Sequence, residues 1–136
     1  MVFGETTDIL TIEEVTNLQD KWCRAIVEIG DIFESGGDYK SAARDMISKM
    51  YAYDHGGVLF KPTKAAKVQF RETREQALSY FVGGEIPEDR GFALQPWSNV
   101  CFENHKIKIN KDSAIVMGNY YFTDAKTKEE VKVEFT

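Results

Sequence analysis

The sequence predicts an α+β domain, with helices in its first half and a meander of antiparallel strands in its second. Three observations carry this. Apolar residues recur every three or four positions in two stretches before residue 51. From Trp97 onward the period drops to two. The length of 136 residues is that of one domain with one core, so a single domain over 1–136 is expected.

The first helix is expected over 11–30. Thr11-Ile12-Glu13-Glu14 is a capping box, in which the Thr11 hydroxyl takes the Glu14 amide and the Glu14 carboxylate reaches back. Val15, Leu18, Trp22, Ile26 and Ile29 mark one apolar face, and Gly30 offers a glycine stop. Gly36-Gly37 breaks the chain and Asp38 caps a second helix over 38–51, whose apolar face runs from Tyr39 to Met50. Residues 57–62 and 67–71 read as a strand pair, with Pro62 suited to a strand end or edge. A short third helix follows over 72–81 and stops at Gly83-Gly84.

Trp97 to Ile109 and Ser113 to Thr123 alternate on either side of the turn Asn110-Lys111-Asp112. After the polar turn 124–129, Val131, Val133 and Phe135 share one face of a last strand. A curved sheet wrapped around helices encloses a cone with an open mouth, which is a natural ligand cavity.

Composition excludes several function classes. Hydrophobic residues make up 43% and charged residues 29%, as in a soluble globular protein. The net charge of −5 argues against nucleic acid, which needs clustered Lys and Arg. The lysines are scattered, except around Lys61, Lys64 and Lys67. No stretch approaches the ~18 apolar residues of a membrane span, and the N-terminus lacks a basic leader region. A soluble, cytoplasmic protein is therefore expected as written, with an organelle or the periplasm open if a presequence was removed. Cys23 and Cys101 read as two buried thiols, which make no disulfide framework and slightly favour a reducing compartment.

The motifs of triad hydrolases, phosphate-binding loops and zinc proteases are absent. Only two histidines exist, His55 and His105, and no third strong ligand is placed beside them, so no metal site is expected. The residues leave His55 open between a surface role, a polar contact in the pocket and a metal ligand. Hydroxyls and aromatics remain. Thr63 follows Pro62, whose ring stiffens the backbone on which Thr63 sits. Tyr80 lies in a short, largely apolar helix, where a buried phenol needs a partner. On spacing alone, Thr63 is equally a turn residue bonding its own backbone, and Tyr80 a core aromatic.

The segments Tyr53–Ala65 (YDHGGVLFKPTKA), Ala77–Gly84 (ALSYFVGG), Glu88–Trp97 (EDRGFALQPW) and Ala114–Thr123 (AIVMGNYYFT) resemble the iota-class carbonic anhydrases. The likeness runs from about Trp22 to Thr136. More distantly the pattern is similar to the cystatin-like cone of nuclear transport factor 2, a superfamily that includes the association domain of calcium/calmodulin-dependent protein kinase II.

The resemblance implies reversible hydration of carbon dioxide to bicarbonate, without a cofactor, although manganese is attributed to some members. It implies Thr63 and Tyr80 as the catalytic hydroxyls, with Thr63, Tyr80 and His55 as substrate-binding candidates and no metal ligand. A tyrosine with an ordinary pKa of about 10 is a donor rather than a base at neutral pH, so no proton acceptor is identified.

A homodimer is expected, with carbon dioxide and bicarbonate as partners and neither nucleic acid nor membrane. Two other functions suit the same fold: an association module that oligomerises through the outer sheet face, and a small-acid-binding protein. The family pattern also implies a further strand after Thr136 with a His-His-Ser-Ser motif that completes the pocket. The sequence does not contain it, so either a truncated chain or one copy of a tandem array is expected.

Overall fold

The computed structural model describes residues 9–136. Three helices, α1 (Ile12–Glu34), α2 (Tyr39–Met50) and α3 (Arg74–Val82), precede three strands, β1 (Trp97–Asn110), β2 (Ser113–Asp124) and β3 (Glu130–Phe135). The sheet is antiparallel throughout, in the order β1-β2-β3. Helix α1 packs on β1, α2 packs on α1, and α3 packs on α2. This is the α+β layering expected from the change of period.

The N-cap of α1 forms as the sequence implies, with the Glu14 amide donating to the Thr11 hydroxyl at 3.1 Å. The Glu14 carboxylate is reached by the same hydroxyl rather than by the backbone. The helix does not stop at Gly30. It runs to Glu34 and ends where Gly36 turns left-handed at φ 79°, with the Gly37 amide donating to the Ile32 carbonyl at 2.8 Å. Gly30 is a packing residue instead. A Cβ there would lie 2.9 Å from the Ala93 carbonyl oxygen and 3.1 Å from the Pro96 Cβ. The glycine lets α1 approach the chain that leads into β1.

Asp38 caps α2 by accepting from the Ser41 amide at 3.1 Å. Helix α3 carries a capping box of its own, between Thr73 and Gln76.

The strand pair expected over 57–62 and 67–71 does not form. One backbone hydrogen bond links the two arms, from the Arg71 amide to the Phe60 carbonyl at 2.8 Å. Pro62 has no donor to offer a ladder. The amides of Ala66, Lys67 and Val68 are taken by the Glu88 carboxylate at 2.8–3.1 Å. A side chain twenty residues away in sequence thus replaces a β-ladder.

In the sheet, Val100 opposes Phe122 and Phe102 opposes Tyr120, while Val131 and Val133 oppose Phe122 and Tyr120 from the other side. These residues form the inner face. Cys101 has the opposite parity, pairs with Tyr121 and is exposed, so only Cys23 is the buried thiol expected of both. The ladder shifts register between Asn104 and Lys106, and Gly118 sits opposite Asn104. A Cβ on Gly118 would be 2.2 Å from the Glu103 carbonyl oxygen, so the bulge requires glycine there. Two side-chain hydrogen bonds between Gln19 and Asn104, at 2.8 and 2.7 Å, tie α1 to the bulged strand.

Trp22 centres the core. Its ring lies 5.8–6.5 Å from Phe81, Phe102, Tyr120 and Phe122, and its indole N–H donates to the Tyr51 phenol at 3.0 Å.

The Gly30 geometry sets an expected outcome. Gly30→Ala should destabilise the fold by about 1–3 kcal/mol through overpacking, although alanine is the better helix former by about 1 kcal/mol. Urea denaturation measures this. A more stable variant would show that the helix, not the packing, governs this position.

Candidate active site

A cleft of about 70 Å³ opens where the 60–64 loop, α3 and the inner sheet face meet. Its walls are aromatic, from Trp22, Phe60, Phe81, Phe92, Trp97 and Phe122. Against this apolar surface stand the hydroxyls of Thr63, Tyr80 and Tyr120. Lys64 completes the loop side, and Val131 and Val133 bring β3 to the rim. A single water needs about 10–15 Å³ of such space, so the cleft suits a molecule of a few atoms with one or two waters. Two larger depressions, about 340 Å³ between α1 and α2 and about 410 Å³ between α1 and the start of β1, are lined by a mixture of charged and aliphatic side chains. Neither gathers hydroxyls against aromatics.

The hydroxyls are held by their own elements. The Thr63 side chain and the Tyr120 phenol line the same cleft, which brings the loop to β2. The Lys64 backbone amide faces the Tyr80 phenol oxygen, joining the same loop to α3. Burial pushes the Tyr80 phenol up to about 12, with the Lys64 amide opposing the shift. Burial also raises Tyr120, opposed by the nearby Thr63 hydroxyl. Both phenols therefore stay protonated at neutral pH and act as donors. The Tyr80 ring is fixed by stacking on Phe92, with centroids 5.5 Å apart, and by the edge of Phe81 at 5.4 Å.

The loop is anchored from beneath by a buried ion pair. Arg71 is fully buried and makes two hydrogen bonds to Asp89, at 2.6 and 2.7 Å. It also donates to the carbonyls of Val68 and Gln76, each at 3.0 Å. Ser79, next to Tyr80, donates to Asp89 at 2.6 Å and accepts from the Ile86 amide at 2.9 Å. Tyr53 donates to the Arg71 carbonyl at 2.7 Å. One arginine thus locks the Thr63 loop, the start of α3 and the 86–89 loop into a single arrangement.

Of the residues singled out in the sequence, Thr63 and Tyr80 meet at this cleft. His55 does not. It is exposed at the end of a 3₁₀ turn over Tyr53–His55 and is not part of the lining, while its neighbour Asp54 pairs outward with Arg74. His105 is exposed on β1. Among the described residues no three His, Cys, Asp or Glu side chains gather to hold a metal ion.

The family described as metal-independent carbonic anhydrase matches residues 13–136. The chain belongs to this family. A metal-independent carbonic anhydrase from Nostoc sp. (strain PCC 7120 / SAG 25.82 / UTEX 2576) is 41% identical over 124 residues, which are 88% of this chain and 60% of that protein. The chain therefore spans about three fifths of the length of that curated relative. Among solved structures, the crystal structure of the iota-carbonic anhydrase from a cyanobacterium, complexed with bicarbonate, is similar with a TM-score of 0.89 at 36% identity. The likeness covers 98% of this chain and 84% of that one. The fold of three helices and an antiparallel sheet is thus that of the iota-class carbonic anhydrases.

Tyr120 was not singled out in the sequence, although it lies within a segment that carries the family resemblance. A signal was present: it shares the inward parity of Phe122 and is the phenol on an otherwise apolar face. Arg71 and Asp89 carried no comparable signal, because nothing in an 18-residue separation marks a buried pair.

Two outcomes follow for this family member. Asp89→Asn should cost about 3–5 kcal/mol in urea denaturation, since it leaves a buried guanidinium without its charge partner. Arg71→Lys should also lower stability, because an ammonium cannot form the same fork. An unchanged denaturation midpoint in the lysine variant would show that charge alone is enough. The phenols set a pH dependence. Tyrosine in the unfolded chain loses its proton near 10, whereas burial holds Tyr53 and Tyr80 up to about 12. The native state then binds more protons, so stability is full below pH ~10 and falls as pH rises toward ~12. Constant denaturation midpoints across that window would refute this.

Proposed function

We propose that the cleft catalyses the reversible hydration of carbon dioxide to bicarbonate, using hydroxyl donors and no metal. The observation that carries the reading is the convergence of Thr63, Tyr80 and Tyr120 on a small aromatic cavity. The bicarbonate held by the similar cyanobacterial structure supports it.

Hydration needs an oriented water and a place for negative charge to develop on the substrate oxygens. The Thr63–Tyr120 pair positions the water at the carbon. Tyr80 donates to the oxygen that gains charge, in surroundings where water does not screen the bond. The water oxygen bonds to carbon, one C=O electron pair moves onto oxygen, and a water proton departs. Among the described residues the cleft lining contains no carboxylate or imidazole. The proton therefore leaves through the mouth to solvent or buffer. Manganese does not fit this donor set, because it favours carboxylate and carbonyl oxygens over protonated phenols. No step is assigned to it.

The reading extends to a homodimer through the outer sheet face, where Ile115 and Met117 on β2 are 67% and 50% exposed.

Stopped-flow hydration assays with and without chelator test the reading. The purified chain should exceed the buffer rate equally in both. Thr63→Val, Tyr80→Phe and Tyr120→Phe each remove one hydroxyl and should lower kcat by about 10²–10³-fold, as for loss of an oxyanion donor. A parent rate equal to buffer ends the proposal, and full activity in all three variants removes these residues from it.

A further inference from the structure

The loop that walls the cleft carries a basic patch on an acidic chain. Net charge is −5, yet Lys61, Lys64 and Lys67 stand together in this segment. All three are exposed, and none enters an ion pair among the described residues. Lys64 itself lines the cleft. The Lys61 ammonium lies 3.4 Å from the carbonyls of Pro62 and Ala65, which folds it over the same loop.

Two carboxylates that hold this segment are already engaged. Asp89 is committed to Arg71, and Glu88 accepts from three backbone amides with Arg71 at 3.6 Å. Among the described residues that line the cleft, Lys64 is the one charged side chain.

We propose that Lys64, backed by Lys61 and Lys67, forms an anion-capture rim that binds bicarbonate at the mouth of the cleft; this rests on the functional reading above. Carbon dioxide carries no charge and is indifferent to the rim. Bicarbonate carries one negative charge and approaches over a low-dielectric aromatic wall, where an ammonium attracts it more strongly than in open water. The rim therefore sets affinity for the anion and leaves neutral substrate untouched. The overall equilibrium ties the two values of kcat/KM together, so their ratio is blind to the rim. Direct binding is the informative measurement.

The experiment is a ¹³C-bicarbonate NMR titration of the chain at constant pH, with salt raised from about 0.01 to about 0.15 M, which shortens screening from about 30 to about 8 Å. The parent should bind more weakly as salt rises. Lys64→Met should weaken binding at low salt about fivefold, the upper range for an exposed charge pair, and lose most of the salt dependence. Lys64→Arg should keep both. Thermal melts check that the exposed substitutions leave the fold intact. Equal affinity and equal salt dependence in Lys64→Met overturn the rim and leave the functional reading standing. A parent that binds no bicarbonate overturns both.

Discussion

The arrangement of the cleft depends on one buried ion pair. The segment from Val58 to Val68 has no regular ladder, and ordering an irregular backbone costs about 1–2 kcal/mol per residue. Arg71 and Asp89 supply the constraint that a strand pair would otherwise provide. The guanidinium reaches the loop through Val68, α3 through Gln76, and the 86–89 turn through Asp89. Its remaining polar neighbours, Ser79 and Glu88, are satisfied in the same network. A buried pair of this kind is a weak source of net stability but a strong constraint on geometry. Here the geometry it sets is the meeting of Thr63 with Tyr120 and of Lys64 with Tyr80.

The aromatic shell gives those hydroxyls their chemical character. Trp22, Phe60, Phe81 and Phe92 remove water from around the phenols, and desolvation is the leading cause of the raised values at Tyr80 and Tyr120. The same apolar surface strengthens each hydrogen bond made inside it. Core packing and site electrostatics are therefore one property of this chain. The Trp22 cluster that stabilises the fold also keeps the donors protonated and poorly solvated.

Charge is distributed with similar economy. The acidic total says nothing of the cleft, because carboxylates near it are engaged by Arg71 and by backbone amides. Lys64 lines the cleft and is exposed. An aromatic interior with one lysine in its lining is the charge arrangement on which the proposed separation of neutral gas and anion rests.

The sequence by itself determined the α+β class, the three helices and the three late strands, because these rest on local periodicity, capping residues and turn chemistry. It also determined Thr63 and Tyr80 as candidates, through Pro62 and through a phenol in an apolar helix, and the family through its motifs. Three matters were decided only by tertiary contacts. Residues 57–71 alternate enough to read as strands, but Glu88 claims the amides a ladder would use. Gly30 reads as a stop, but it is a point of close approach to Ala93 and Pro96. His55 stands near Thr63 in sequence yet outside the cleft, while Tyr120, far away in sequence, is inside it. In each case the deciding partner lies tens of residues distant. Local pattern reports what a segment favours alone, and only the packed chain determines which donors, carbonyls and rings it meets.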